Sequence, residues 1–183
     1  MVNGLYDGVI YKVRRTNYGN DEDVLRYLSL LNEYMYSIKK IMYNNYHLCS
    51  DKNCKNESIL FVKTPCVLQE IPQNNVYEGV NKPKNIVYCS DDNLIFKKDN
   101  MYRAGRRHIM LRLRNKNGTL RKFNMVKRLF LHELSHTMCN HITYREAGNH
   151  QNDFKNAEKF LIYLSENQPE LLEIQNKIES ELF

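Results

Sequence analysis

Apolar residues at Val24, Leu28, Leu31, Met35, Ile38 and Met42 recur at three- and four-residue steps, so they fall on one stripe and predict a helix with a buried face. Asn20 or Asp21 can cap it, and it is expected to run to about Tyr43. A polar stretch, Asn44 to Ser58, follows. Short runs at Ile59 to Val62, Asn85 to Cys89 and Leu94 to Lys97 are strand candidates, and His108 to Arg114 is a stronger one because its polar and apolar residues alternate. Asn117-Gly118 is a turn dipeptide, with Thr119 to Phe123 as the expected return strand. Helical spacing resumes near Asn124 with Val126, Leu129, Phe130, Leu134 and Met138, and this second helix is expected to end before Gly148. Asn152 or Asp153 opens a third, striped by Phe154, Ala157, Leu161 and Leu164. Pro169 suits the first turn of a fourth, which packs through Leu171, Ile174, Ile178 and Leu182. The order of helix, small sheet and three helices indicates an α+β protein.

With 183 residues and neither an internal repeat nor a Pro/Gly/Ser linker, the chain is expected to form one domain, 1–183. Its 42% hydrophobic and 26% charged residues fit a water-soluble globule. The longest apolar run, Phe160 to Leu164, falls far short of the ~20 residues of a membrane span. The first fifteen residues lack the apolar centre of a signal peptide. Five cysteines, Cys49, Cys54, Cys66, Cys89 and Cys139, are an odd number at irregular spacing and suit a reducing compartment better than a disulfide framework. His47, Cys49 and Cys54 could begin a metal knuckle but lack a second pair, so they read as ordinary side chains. A monomeric intracellular protein, cytoplasmic or nuclear, without membrane association is expected.

Net charge is +6, and it is uneven: Lys97 to Arg128 holds twelve Lys or Arg against the single acid Asp99, while Glu146 to Phe183 holds eight acids and three lysines. Such a run either solvates several faces or forms one patch that meets polyphosphate. Alternation in Arg107-His-Ile-Met-Leu-Arg-Leu-Arg114 sets Arg112 and Arg114 on one side of a strand. With Arg103, Arg106 and Arg107, they are the residues from which a nucleic-acid contact is expected.

The densest chemistry lies in His132-Glu133-Leu134-Ser135-His136, inside the second helix. Residues i and i+4 share a helical face, so the two imidazoles can hold one Zn²⁺ while Glu133, between them, is aimed beside them at a metal-bound water. Zinc lowers that water's pKa and polarises a carbonyl, and Glu133 moves the proton to the leaving amine. A catalytic zinc needs a third protein ligand. His141 follows His136 by five residues without a glycine turn. His150 sits after a polar turn, four residues before Phe154, where packing of the next helix would fix it. Glu158 and Glu166 are the candidates if the site takes two histidines and a carboxylate.

Leu131-His-Glu-Leu-Ser-His-Thr-Met138, followed by Gly148-Asn-His150-Gln-Asn-Asp-Phe154, resembles the WLM and SprT-like zinc metalloproteases, whose pattern is HELxH, a variable loop, and a glycine-preceded His with Phe four residues on. Ile109-Met-Leu-Arg-Leu-Arg114 is similar to the strand before the active helix of WLM proteins, including those encoded by large DNA viruses. The resemblance covers about Asn85 to Leu164. It implies a minimal zincin-like fold with a small, mostly antiparallel sheet packed on helices, a zincin core over 85–165 and a C-terminal helix over 166–183. It also implies zinc on His132, His136 and His150, Glu133 as general base, and, from the family's best-known members, protein substrates crosslinked to DNA and a part in DNA repair. The sequence has no CxxC pair, and residues 1–84 match no part of the pattern. A zinc endopeptidase is therefore expected. The alternatives are a non-catalytic, zinc-stabilised nucleic-acid-binding module and a protease of soluble proteins whose basic run only solvates the fold. The strand His108 to Arg114 is expected beside the active helix with an edge open to an extended substrate.

Overall fold

The computed structural model describes residues 1–45, 59, 61–71, 76–89, 96–98, 101–139 and 152–183, of which 83–89, 96–98 and 101–106 are described in backbone alone. Asp7 and Gly8 take φ of 48° and 74°, the left-handed pair that a two-residue hairpin turn demands. They join β1 (Val2–Tyr6) to β2 (Val9–Val13) in antiparallel register, Leu5 facing Ile10. The chain then enters α1 (Asp21–Asn45), whose first turn carries Asp21, Glu22 and Asp23 where the helix dipole favours anions. The predicted stripe is its buried face.

Because α1 crosses back over the sheet, β3 (Cys66–Glu70) returns parallel to β2. β4 (Gly79–Cys89), β5 (Phe96–Lys98) and β6 (Met101–Leu111) follow. The strand order is β1-β2-β3-β6-β4, with β5 on the N-terminal end of β6. β6 is parallel to β3 and antiparallel to β4 and β5. The architecture is thus α+β with a mixed, mostly antiparallel sheet, and the crossover through α1 accounts for the parallel pairing of β2 with β3.

Three local expectations are corrected. Ile59 and residues 61–63 are helical, and Phe61 drops fully into the core. The strong strand begins at Met101 and stops at Leu111, so Arg112 and Arg114 lie beyond it. Thr119 to Phe123 forms no return strand, since only Leu120 bridges, to Arg114, and Phe123 already opens α2 (Phe123–Met138).

α3 (Asn152–Asn167) and α4 (Pro169–Leu182) complete the chain, with Pro169 in the first turn as predicted. α1 packs on β1, β2 and β3, α2 on β4 and β6, and the last two helices close against α2 and α1. One cluster runs through these layers, joining Leu28, Leu31 and Ile38 to Leu68, Ile109 and Leu111, and to Phe130, Leu134, Leu161 and Ile174. Each such side chain contributes about 1.5–3 kcal/mol by leaving water, so α2 is held firmly on the sheet. No helix among the described residues is long and apolar enough to cross a membrane.

Candidate active site

The HELSH segment lies in the C-terminal half of α2, on the turns that meet α3 and β4. Glu133 and His136 are buried, and the side chain of His132 is 33% exposed. One helical turn separates the two imidazoles, whose ring centroids lie 5.1 Å apart at an interplanar angle of 87°. Phe154, on the first turn of α3, fits against both rings, 5.0 Å from His132 and 4.5 Å from His136. From Glu158, one turn further along α3, Oε1 lies 2.9 Å from His132 Nδ1.

β4 closes the other flank of the helix. A Cβ on Gly79 would stand 2.6 Å from Glu133 Oε1 and 2.7 Å from Leu129 Cδ1, so the missing side chain is what lets the carboxylate lie against the strand. Two residues on, Asn81 Nδ2 donates to Glu133 O at 2.5 Å and to Thr137 Oγ1 at 2.7 Å. Burial pushes the Glu133 carboxyl up to about 7. The result is a dry carboxylate on a rigid helix next to two imidazoles.

This donor set fits zinc as far as it is described. Imidazole nitrogens one helical turn apart suit a borderline cation. Among the described residues no group of three or more His, Cys, Asp or Glu side chains could hold a metal. The expected third ligand, His150, lies outside the described residues, as do His141, His47, Cys49 and Cys54. Glu166, the other carboxylate considered, is an exposed residue of α3.

Among its described side chains, the basic run does not form the strand face expected of it. Arg114 is wholly buried: Nη2 donates to Asp21 Oδ1 at 2.6 Å, Nη1 to Arg14 O at 3.1 Å and Thr16 Oγ1 at 3.0 Å, and Nε lies 3.8 Å from Glu70. Arg107 is also buried. Arg112 donates to Tyr77 O and pairs with Glu78, which Arg121 shares. The expectation that Arg112 and Arg114 share one exposed face is therefore corrected: the chain leaves the strand after Leu111, and Arg114 turns inward as a cross-link between the N-terminal segment and the sheet. The side chains of Arg103 and Arg106 lie outside the description.

The expectation of an open edge at His108 to Arg114 is overturned as well. β6 is flanked by β3 through Cys66–Glu70 and by β4 through Gly79–Lys82, which makes it an interior strand. The strand at the end of the order, beside α2, is β4. Gly79, Asn81 and the contact made by Glu158 were all missed from sequence. Only Glu158 carried a signal, since it stands one turn after Phe154 on the stripe facing the histidines. In comparison with known proteins, no family model, no curated protein and no solved structure matches the chain.

Proposed function

We propose that the protein is a zinc-dependent endopeptidase. One observation carries the reading: a buried carboxylate, Glu133, stands on a helix directly after one imidazole and three residues before another, and among the described residues no cation pairs with it. A purely structural metal site has no use for such an acid. His132 and His136 would hold the ion, with His150 as third ligand from the resemblance to WLM and SprT-like proteases. Zinc, when bound, supplies Lewis acidity that makes water nucleophilic near neutral pH and polarises the scissile carbonyl. Glu133 accepts the proton of the attacking water on its carboxylate and delivers it to the departing amine nitrogen. Gly79 and Asn81 fix the base from the strand side, and Phe154 fixes both rings from the helix side. The outer edge of β4 beside α2 is the natural seat for an extended substrate backbone, by strand addition. Cleavage of an unstructured protein or peptide library by the full chain should stop on chelation and return with one equivalent of zinc; cleavage indifferent to chelation would reject the reading.

A second reading makes nucleic-acid-bound proteins the substrates. It is favoured by the exposed cations Lys116, Lys122 and Arg128 around the start of α2, and no longer by Arg107 or Arg114. Charge reversal of these three residues should weaken DNA binding and flatten its salt dependence while sparing cleavage of a free peptide. DNA affinity unchanged by the reversal would leave a protease of soluble proteins.

A further inference from the structure

We infer that Glu158 is a positioning residue for His132: its carboxylate holds the imidazole as the Nδ1–H tautomer, so that the ring offers Nε2 to the metal. The inference rests on the reading of His132 as a zinc ligand.

A carboxylate only accepts hydrogen bonds. An oxygen of Glu158 at 2.9 Å from His132 Nδ1 therefore calls for a proton on that nitrogen, and in a neutral imidazole the lone pair then resides on Nε2. The two nitrogens point away from each other across the ring, so an oxygen bonded at Nδ1 is not available to an ion held at Nε2. This separates the role from that of a third ligand. The placement is rigid on both sides. His132 is fixed on α2 between Leu131 and Glu133, both buried, and Glu158 follows Ala157, buried on α3 one turn after Phe154. Phe154 meets the same imidazole from the α3 side, so the ring is held by an apolar contact and by a charge-assisted hydrogen bond at once. Nor is the contact needed to dock the helix. α3 already buries Phe154, Ala157, Leu161 and Leu164, while Glu158 and His132 are 32% and 33% exposed, where a polar side-chain contact adds little to stability. What the contact does supply is orientation, and a carboxylate behind a metal-binding histidine also raises the basicity of the ligating nitrogen.

Zinc affinity of the full chain, measured by competition with a chromophoric chelator, tests this together with the tautomer of His132 read from long-range ¹H–¹⁵N spectra of the zinc-free protein. Glu158→Ala should weaken zinc binding about 10- to 100-fold and lose the Nδ1–H signature, with an unchanged Tm. Glu158→Gln, whose amide oxygen can still accept from Nδ1–H, should keep the tautomer and most of the affinity. The absorption of Co²⁺ in the Glu158→Ala protein should keep its wild-type coordination number. Affinity and tautomer both unchanged in Glu158→Ala, while His132→Ala loses the metal, would overturn the positioning role and leave the protease reading standing. A lowered coordination number, with equal loss in the Ala and Gln variants, would make Glu158 a ligand and also overturn it. Zinc retained by His132→Ala would instead reject the protease reading itself.

Discussion

Glu70 and Glu133 are the same residue type, buried to 2% and 5% exposure on two different elements, β3 and α2, yet their surroundings differ in kind. Glu70 accepts a hydrogen bond from the Arg14 backbone N–H at 2.6 Å and has the buried Arg114 guanidinium at 3.8 Å. Burial raises its pKa, but these groups oppose the rise. Among the described residues nothing opposes the rise for Glu133, which is pushed up to about 7 by burial. A carboxylate paired within the fold is compensated where it is buried, whereas one buried without such pairing is left able to take a proton, as the proposed general base would need to. The contrast divides the molecule: the Arg114 cluster ties the N-terminal segment to the sheet, and α2 with β4 and α3 builds a site.

The largest expected effect breaks the structural half. Arg114→Ala strands Glu70 in the core and releases Asp21, Arg14 O and Thr16, so it should cost about 3–5 kcal/mol in chemical denaturation. A loss under 1 kcal/mol would mean the cluster is not a cross-link. In the other half the expected effect is on turnover. Gly79→Ala drives a methyl into Glu133 and Leu129, and a base displaced by about 1 Å should lower kcat roughly 10²-fold. Wild-type kcat in this variant would show that β4 does not position the base.

The smallest effect sharpens the comparison through pH. Because the folded pKa of Glu70 is raised, its stabilising contribution is complete below the ordinary carboxylate range and is lost as pH rises through the raised value. Wild type should therefore lose Tm relative to Glu70→Gln as pH climbs from acid toward neutral. A gain relative to the variant would mean that Arg114 and the Arg14 N–H outweigh burial.

Much of the helical half was legible because its signals are local. The stripes of α1, α2 and α4, Pro169 in the first turn of α4, and the HELSH spacing all follow from a 3.6-residue period. The sheet was read less well. Asp7-Gly8 between Leu5-Tyr6 and Val9-Ile10 is a hairpin signature that passed unused, and β3 is a five-residue strand whose partners, β2 and β6, are distant in sequence. Arg107 and Arg114 were misjudged for a related reason: alternation tells which residues share a side, but the chain's departure from the strand at Leu111 and the acids waiting at Asp21 and Glu70 are tertiary facts. The same holds for Gly79 and Asn81, whose role exists only once β4 lies beside α2.

The central claim meets its most direct test in Glu133→Gln, with zinc binding and peptide cleavage measured on one preparation. The amide retains the side-chain shape but cannot accept the water's proton, so the variant should bind one zinc with wild-type affinity, keep its Tm, and lose about 10²–10⁴ in turnover. Cleavage at the wild-type rate, or a wild-type protein that binds no zinc, would contradict the account.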